Sequence, residues 1–334
     1  MPISDPSSHP SPHPYSPTYP YPNSRPSPYS QTRKEPNPGR RTVSSSSAGA
    51  VAAAVGALAL TVLVPQGTAV ATISGDGGDR IGLLRPGGGA YVAEGRLTSD
   101  PVRQTEGAKQ LTLAGDRVGV LLGDGTAQVK EGGLGAGWQP VRGEVKQLAL
   151  TGTRTGVLLA NGEAYVREGD GPWTLESTKV KELDLAGDRI GMIRGDGAAY
   201  VKDGPLDAPW IKMADNVTGL GLAGDRVGIH NGAGDAYVKE GALSEPWTIQ
   251  HRNTLQLELS GDRLAMVNDK GEAFVKEGAL HADWVKVSAH VTQIALSGRR
   301  IGILDGEGRA RVKEGAMQAR WVVVAEGVRE LVMS

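Results

Sequence analysis

The word LAGDR stands at 113–117, 185–189 and 222–226, and its near-copy LSGDR at 259–263. Taking the arginine as a phase marker, the pattern recurs at Arg80, Arg117, Arg154, Arg189, Arg226, Arg263 and Arg300. The intervals are 37, 37, 35, 37, 37 and 37 residues. A fixed period of this length means one supersecondary unit used seven times, with neighbouring units burying a core that none can build alone. Around each marker other slots are invariant: glycine two before, glycine eight after, alanine ten after, valine twelve after and glycine fifteen after. Twenty-one after the marker stands Trp138, Trp210, Trp247, Trp284 or Trp321. The short third copy puts Trp173 nineteen after, and the first copy has Pro101 in that slot.

One copy, 111–146, reads LTLAGDRVGVLLGDGTAQVKEGGLGAGWQPVRGEVK. Its segments LTLA, RVGVL, AQVKE and WQPV are short, aliphatic and separated by glycine-bearing turns, which predicts four strands per copy. A helix is excluded, because each glycine in a helix interior costs about 1 kcal/mol. Gly115-Asp116 predicts a type II′ hairpin, with glycine first. Asp124-Gly125, Asn161-Gly162 and Asp196-Gly197 predict type I′, where both central residues have positive φ. Four strands repeated seven times predict an all-β, seven-bladed β-propeller of about 37 residues per repeat over 72–334. The chain ends RELVMS, matching KQLALT at 146–151 and TQIALS at 292–297. A ring uses such a surplus strand to close itself, and an open solenoid does not.

The 71 residues ahead of the repeats differ in kind. Residues 1–47 form a Pro/Ser/Tyr-rich leader, and at 1–38 almost no aliphatics offset the entropy of ordering, which predicts disorder. Residues 48–71 hold AGAVAAAVGALALTVLV and then PQGTAVA, behind Arg40 and Arg41. A basic flank, an apolar run and a small-residue exit form a secretory signal. Retained, the same segment 48–64 would be a membrane anchor, although its 17 residues fall short of the ~20 that span a bilayer comfortably. Either reading expects the repeats outside the membrane. The absence of cysteine excludes a disulfide framework and thiolate metal sites, and the repeat region carries a net charge of −4. No nucleic-acid footprint follows from that balance.

The opening W-x-x-V, a hydrophobic strand, a small-residue turn and a closing strand resemble the tectonin repeats of tachylectin-type β-propeller lectins, across essentially all of 72–334. That resemblance implies binding of carbohydrate or lipopolysaccharide. Its second tryptophan, V-W-G, is replaced here by RIG or RVG, and no binding residue is carried over from the family.

From the residues themselves, the marker arginine and the acid fourteen positions later are expected to pair across a hairpin. The tryptophans can be wedges between blades or platforms for sugars, and the recurrence favours wedges. The aromatic slot at Tyr91, Tyr165, Tyr200, Tyr237 and Phe274 becomes Gln128 and Arg311 in two copies, which makes those five the candidates for ligand stacking. Asp116, Asp188, Asp225 and Asp262 read as turn residues, since the slot is Thr153 or Arg299 elsewhere. His230, His251, His281 and His290 occupy four different slots without a metal or nucleophile motif. No catalytic residue, metal or cofactor is expected. The leading reading is a secreted multivalent binding propeller for a glycan or cell-envelope polymer. An envelope interaction scaffold and a secreted lyase or hydrolase are the alternatives.

Overall fold

The computed structural model describes residues 79–334, so the leader 1–47, the segment 48–71 and the first seven repeat residues lie outside the described part. Within it there are 28 strands in seven antiparallel sheets of four, with no α-helix among the described residues. In the second blade the strands are Ala108–Ala114, Arg117–Leu122, Ala127–Glu131 and Gln139–Arg142. The first of these is almost wholly buried and the last largely exposed, so the strands run from the axis outward. Each innermost strand packs against the innermost strands of both neighbours, and this chain of contacts closes on itself. The expected seven-bladed propeller is the fold observed.

Closure uses the chain's end. Glu330–Met333 is the innermost strand of the first blade, ahead of Arg80–Leu84, Ala90–Glu94 and Val102–Thr105. Its register pairs Ile81 with Met333 and Leu84 with Glu330. In the other six blades strand order follows sequence order, with consecutive strands antiparallel and hairpin-connected.

In the second blade the hairpin between innermost and second strands is a two-residue turn, with Ala114 opposite Arg117 and φ of +59° at Gly115 alone. That agrees with type II′. The next turn departs from expectation. At Asp124-Gly125, Asn161-Gly162 and Asp196-Gly197 only the glycine has positive φ, so these are not type I′. Leu122 N–H donates to Thr126 O and Gly125 N–H to Leu122 O, which makes a three-residue loop whose glycine sits at the left-handed position. The side chain decides it: Asp124 Oδ1 accepts from Thr126 N–H at 2.8 Å, and Asn161 and Asp196 do the same for Glu163 and Ala198. Such an Asx turn holds the Asp or Asn in an ordinary right-handed conformation.

The core is a set of seven clusters lying between blades. One contains Leu84, Ala90 and Val92 of the first blade with Leu111, Leu113, Val118 and Val120 of the second, and Trp138 packs against it. Close approach at these seams explains the glycine of RVG. A Cβ on Gly119 would lie 2.7 Å from Leu148 Cδ2 of the next blade and 2.8 Å from Thr112 Cγ2.

Candidate functional site

Three rings of repeated residues decorate this framework: an arginine belt, an aromatic seam and an axial belt. The first answers the GDR word. Each marker arginine lies directly opposite its acid in register, as Arg80 with Glu94 and Arg226 with Glu240. All seven pairs are within ion-pair distance, from 2.9 Å at Arg189–Asp203 to 3.7 Å at Arg117–Glu131. The arginines are buried and the acids partly exposed, so the pair alone does not account for the burial. The guanidinium also crosses the seam. Arg226 Nη2 donates to Gly278 O at 2.6 Å, Arg189 to Gly241 O at 2.6 Å and Arg263 to Gly315 O at 2.8 Å. These acceptors are the invariant glycines fifteen after the marker in the following blade. Arg300 reaches Gly95 and so closes the ring from the last blade to the first. Arg117 differs: it donates to Thr151 O, Arg154 O and Thr155 Oγ1, because the third blade offers a threonine there.

The opposite face has its own tie. The invariant turn glycine eight after the marker accepts, through its carbonyl, the first N–H of the next blade's innermost strand. Examples are Val145 N–H to Gly125 O at 2.9 Å and Val180 N–H to Gly162 O at 2.8 Å.

Removing the belt at one seam has a defined cost. Arg226→Met loses two bonds to Glu240 and one to Gly278 O. Hydrogen bonds to charged groups contribute about 1.5–3 kcal/mol, and an orphaned buried carbonyl costs about 1–3 kcal/mol. A loss of about 2–4 kcal/mol is expected, measured by denaturant unfolding. Glu240→Gln, on the exposed side of the same pair, is expected to cost no more than about 1 kcal/mol. Equal effects from the two would argue against a seam role for the arginine.

The aromatic seam pairs each tryptophan with a cation that composition did not single out. Lys130, Arg167, Lys202, Lys239, Lys276 and Lys313 lie 4.4–5.1 Å from the ring centres of Trp138, Trp173, Trp210, Trp247, Trp284 and Trp321. Each of the five lysines also donates to a backbone carbonyl four residues on, as Lys239 Nζ to Leu243 O at 2.9 Å. Burial pulls the Lys276 ammonium down to about 8, with Arg226 adding repulsion. The signal was legible: in the one copy without a tryptophan, Pro101, the cation is also missing, Ala93. All six tryptophans are half-buried against the cluster shared with the preceding blade. They are wedges, as their recurrence suggested.

The five candidate aromatics occupy one equivalent place on the third strand and are half-buried. Arg85, Arg142 and Arg194 stack over Tyr91, Tyr165 and Tyr200. Tyr165 Oη donates to Glu163 at 3.0 Å, and Phe274 stacks with His251. Tyr237 packs on the seam cluster beside Trp247. The fold therefore sets them one per blade and does not bring them together.

Nearest the axis, Gln110, Gln147, Gln256 and Gln293 each hydrogen-bond twice to the next blade's innermost strand. Gln147, for example, donates to Leu183 O at 2.8 Å and accepts from Leu183 N–H at 3.0 Å. In the other blades the slot is Glu182, Gly219 and Glu330. His230 fills the gap over Gly219, with Nδ1 3.1 Å from Thr218 Oγ1, and burial lowers its pKa. Burial pushes Glu182 and Glu330 up to about 7 each. Asp184, which accepts from Leu222 and Leu185 N–H, is pushed well above the usual carboxylate range by burial. Among the described residues no group of His, Asp and Glu could hold a metal ion.

No protein-family model and no curated protein matches the sequence. Solved structures do. PorZ, a bacterial surface component of the type-IX secretion system of Porphyromonas gingivalis, is 13% identical with a TM-score of 0.56 over 76% of this chain, which spans 38% of PorZ. Apo AztD from Citrobacter koseri is 9% identical, with a TM-score of 0.56 over 77% of this chain and 98% of its own. Prp20p from Saccharomyces cerevisiae, the yeast RCC1, is 10% identical, with a TM-score of 0.54 over 72% of this chain and 82% of its own. At these identities the likeness is one of fold: the chain is a propeller.

Proposed function

We propose that this protein is a non-enzymatic, multivalent binding propeller that acts outside the membrane on a glycan or cell-envelope polymer. The observation that carries the reading is equivalence. Five blades present a half-buried aromatic at the same place, so a repeating polymer meets an aromatic several times on one rigid ring. Weak equivalent sites gain avidity in this way without any new contact. The tectonin-like W-x-x-V pattern supports a carbohydrate ligand, and the basic flank ahead of the apolar segment 48–64 supports export. Deviations between blades are scattered rather than gathered in one polar blade, which weighs against a lyase or hydrolase.

The experiment is a glycan panel and cell-wall polysaccharide binding assay on the purified protein, with Tyr200→Ala and Tyr237→Ala alongside. Saturable binding weakened severalfold by either variant is expected. No saturable glycan binding would remove the lectin reading, and turnover of a glycan would remove the non-enzymatic one.

One observation favours a scaffold as the second reading. Val102, Leu175, Ile211, Ile249 and Val323 are apolar, about half exposed and all on outermost strands, where a protein partner would meet them first.

A further inference from the structure

In six blades the innermost strand carries a β-bulge at its start. Ala108 pairs with Leu122 and Gln110 with Leu121, which leaves Lys109 unpaired, and the same break recurs at Lys146, Lys181, Thr218, Leu255 and Thr292. A bulge re-aims the residue it frees and is characteristic of sites at the rims of closed sheets. Here it stands beside the axis, on the face that carries the turns between second and third strands, where Gly123 N–H donates to Gly107 O. In the first blade Arg329 takes the same slot, its N–H donating to Leu84 O at 2.7 Å.

The occupants divide the ring. Arg329, Lys109, Lys146 and Lys181 fill the slot in the first four blades in succession. The remaining three blades have Thr218, Leu255 and Thr292. All four cations are exposed. Arg329 is fixed across the first seam, with Nη2 donating to Lys109 O at 2.8 Å. None of the four is engaged in an ion pair among the described residues. The acids that influence them are Asp124, in the turn of Lys109's own blade, and the buried Glu182 and Glu330, next in sequence to Lys181 and Arg329. A repeat that elsewhere keeps its pairing residues constant has thus placed cations on one side of its axis and none on the other. Structural need does not require this, since the three other blades make the same bulge with neutral residues.

We infer that Arg329, Lys109, Lys146 and Lys181 form a cationic crescent at the mouth of the ring that binds the carboxylates of an acidic polysaccharide. The inference rests on the glycan reading above and narrows it to an anionic polymer that crosses the first four blades. One cation per blade along an arc suits a chain with regularly spaced negative groups, and such contacts depend on salt.

The test uses the full-length protein and polygalacturonate as probe, with neutral dextran and poly-glutamate of matched length. The crescent variant is Lys109→Gln/Lys146→Gln/Lys181→Gln, with Arg329 kept because it ties the first seam. The control is Arg96→Gln/Arg299→Gln/Arg320→Gln, three exposed cations on the opposite face. Tenfold or greater loss of polygalacturonate affinity in the crescent variant is expected, with a shallower salt dependence and a change of less than twofold in the control. Equal affinity in wild type and crescent variant, or an equal loss in the control, overturns the crescent. So does binding of poly-glutamate as tight as polygalacturonate, which would reveal a charge surface with no preference for sugar. Binding of dextran or other neutral glycans without polygalacturonate overturns the crescent and leaves the glycan reading standing. Binding of no glycan at all overturns both.

Discussion

Deleting residues 329–334 is expected to abolish the cooperative unfolding transition, leaving expanded or associated protein on size exclusion and no near-ultraviolet signal. The segment supplies the whole innermost strand of the first blade, and with it Leu331, Val332 and Met333, all buried. Leu331 and Met333 fill the seam against Ile81, Leu83, Leu304 and Val312. Losing a large buried side chain costs about 2–5 kcal/mol, and three are lost together with the ladder to Arg80–Leu84. Gln293 also loses both partners on Leu331, at 2.9 Å each. The sum matches or exceeds the roughly 5–15 kcal/mol that separates folded from unfolded states in ordinary domains. Leu331→Ala isolates one component and is expected to cost about 2–5 kcal/mol with the fold retained. A truncated protein that melts within a few degrees of the full chain would mean that the ring does not depend on this strand.

Ring closure was legible because RELVMS copies the start of a repeat, and the strands were legible from their length and alternation. What the invariant slots are for was only half legible. Opposite charges fourteen residues apart disclose the Arg–Glu pair, because both partners are side chains and the hairpin fixes their register. The acceptors across the seam are backbone carbonyls of Gly95, Gly278 and their equivalents, and a carbonyl carries no signature of its own. Invariant glycine at those slots was the only sign of them. Thus the marker arginine and the glycines eight and fifteen positions after it also serve the seams between blades. The turn type at Asp124-Gly125 was misread because Asp-Gly supports two loops that differ by one residue, and the choice lies in the Asp124 bond to Thr126 N–H. The cation under each tryptophan was available in the paired exception Ala93 and Pro101. The aromatic candidates were placed one to a blade by the repeat, yet the arginines stacked over three of them come from the end of the second strand and from the outermost strand, at slots that vary between copies.

The axial belt sets a second large effect, in the pH dependence of stability. Glu182 and Glu330 stand in slots where four other blades use glutamine, and Glu182 Oε1 accepts from Leu220 N–H at 3.4 Å. A glutamine there donates and accepts at once, as Gln147 does with Leu183. A carboxylate can only accept, and a protonated carboxyl again does both. Burial holds both groups at about 7 in the folded ring, against an ordinary glutamate value of about 4.3 in the unfolded chain. A folded-state pKa raised above the unfolded one means that folding takes up protons in that window. Their favourable contribution is complete below the unfolded value and is lost as pH rises from about 4.5 to about 7. At about 1.4 kcal/mol per pKa unit, each group is responsible for a decline on the order of 3 kcal/mol. Asp184 contributes in the same direction, since burial raises it well above its ordinary value and Glu182 and Glu258 repel its charge. Lys276, at about 8, titrates above this window. Chemical denaturation of the wild type is therefore expected to give greater stability at pH 5 than at pH 8. Glu182→Gln/Glu330→Gln is expected to match the wild type near pH 5 and to exceed it by several kcal/mol at pH 8, flattening the profile. A double variant less stable than the wild type at pH 8 would show that the two carboxylates are needed ionised, with partners that outweigh their burial.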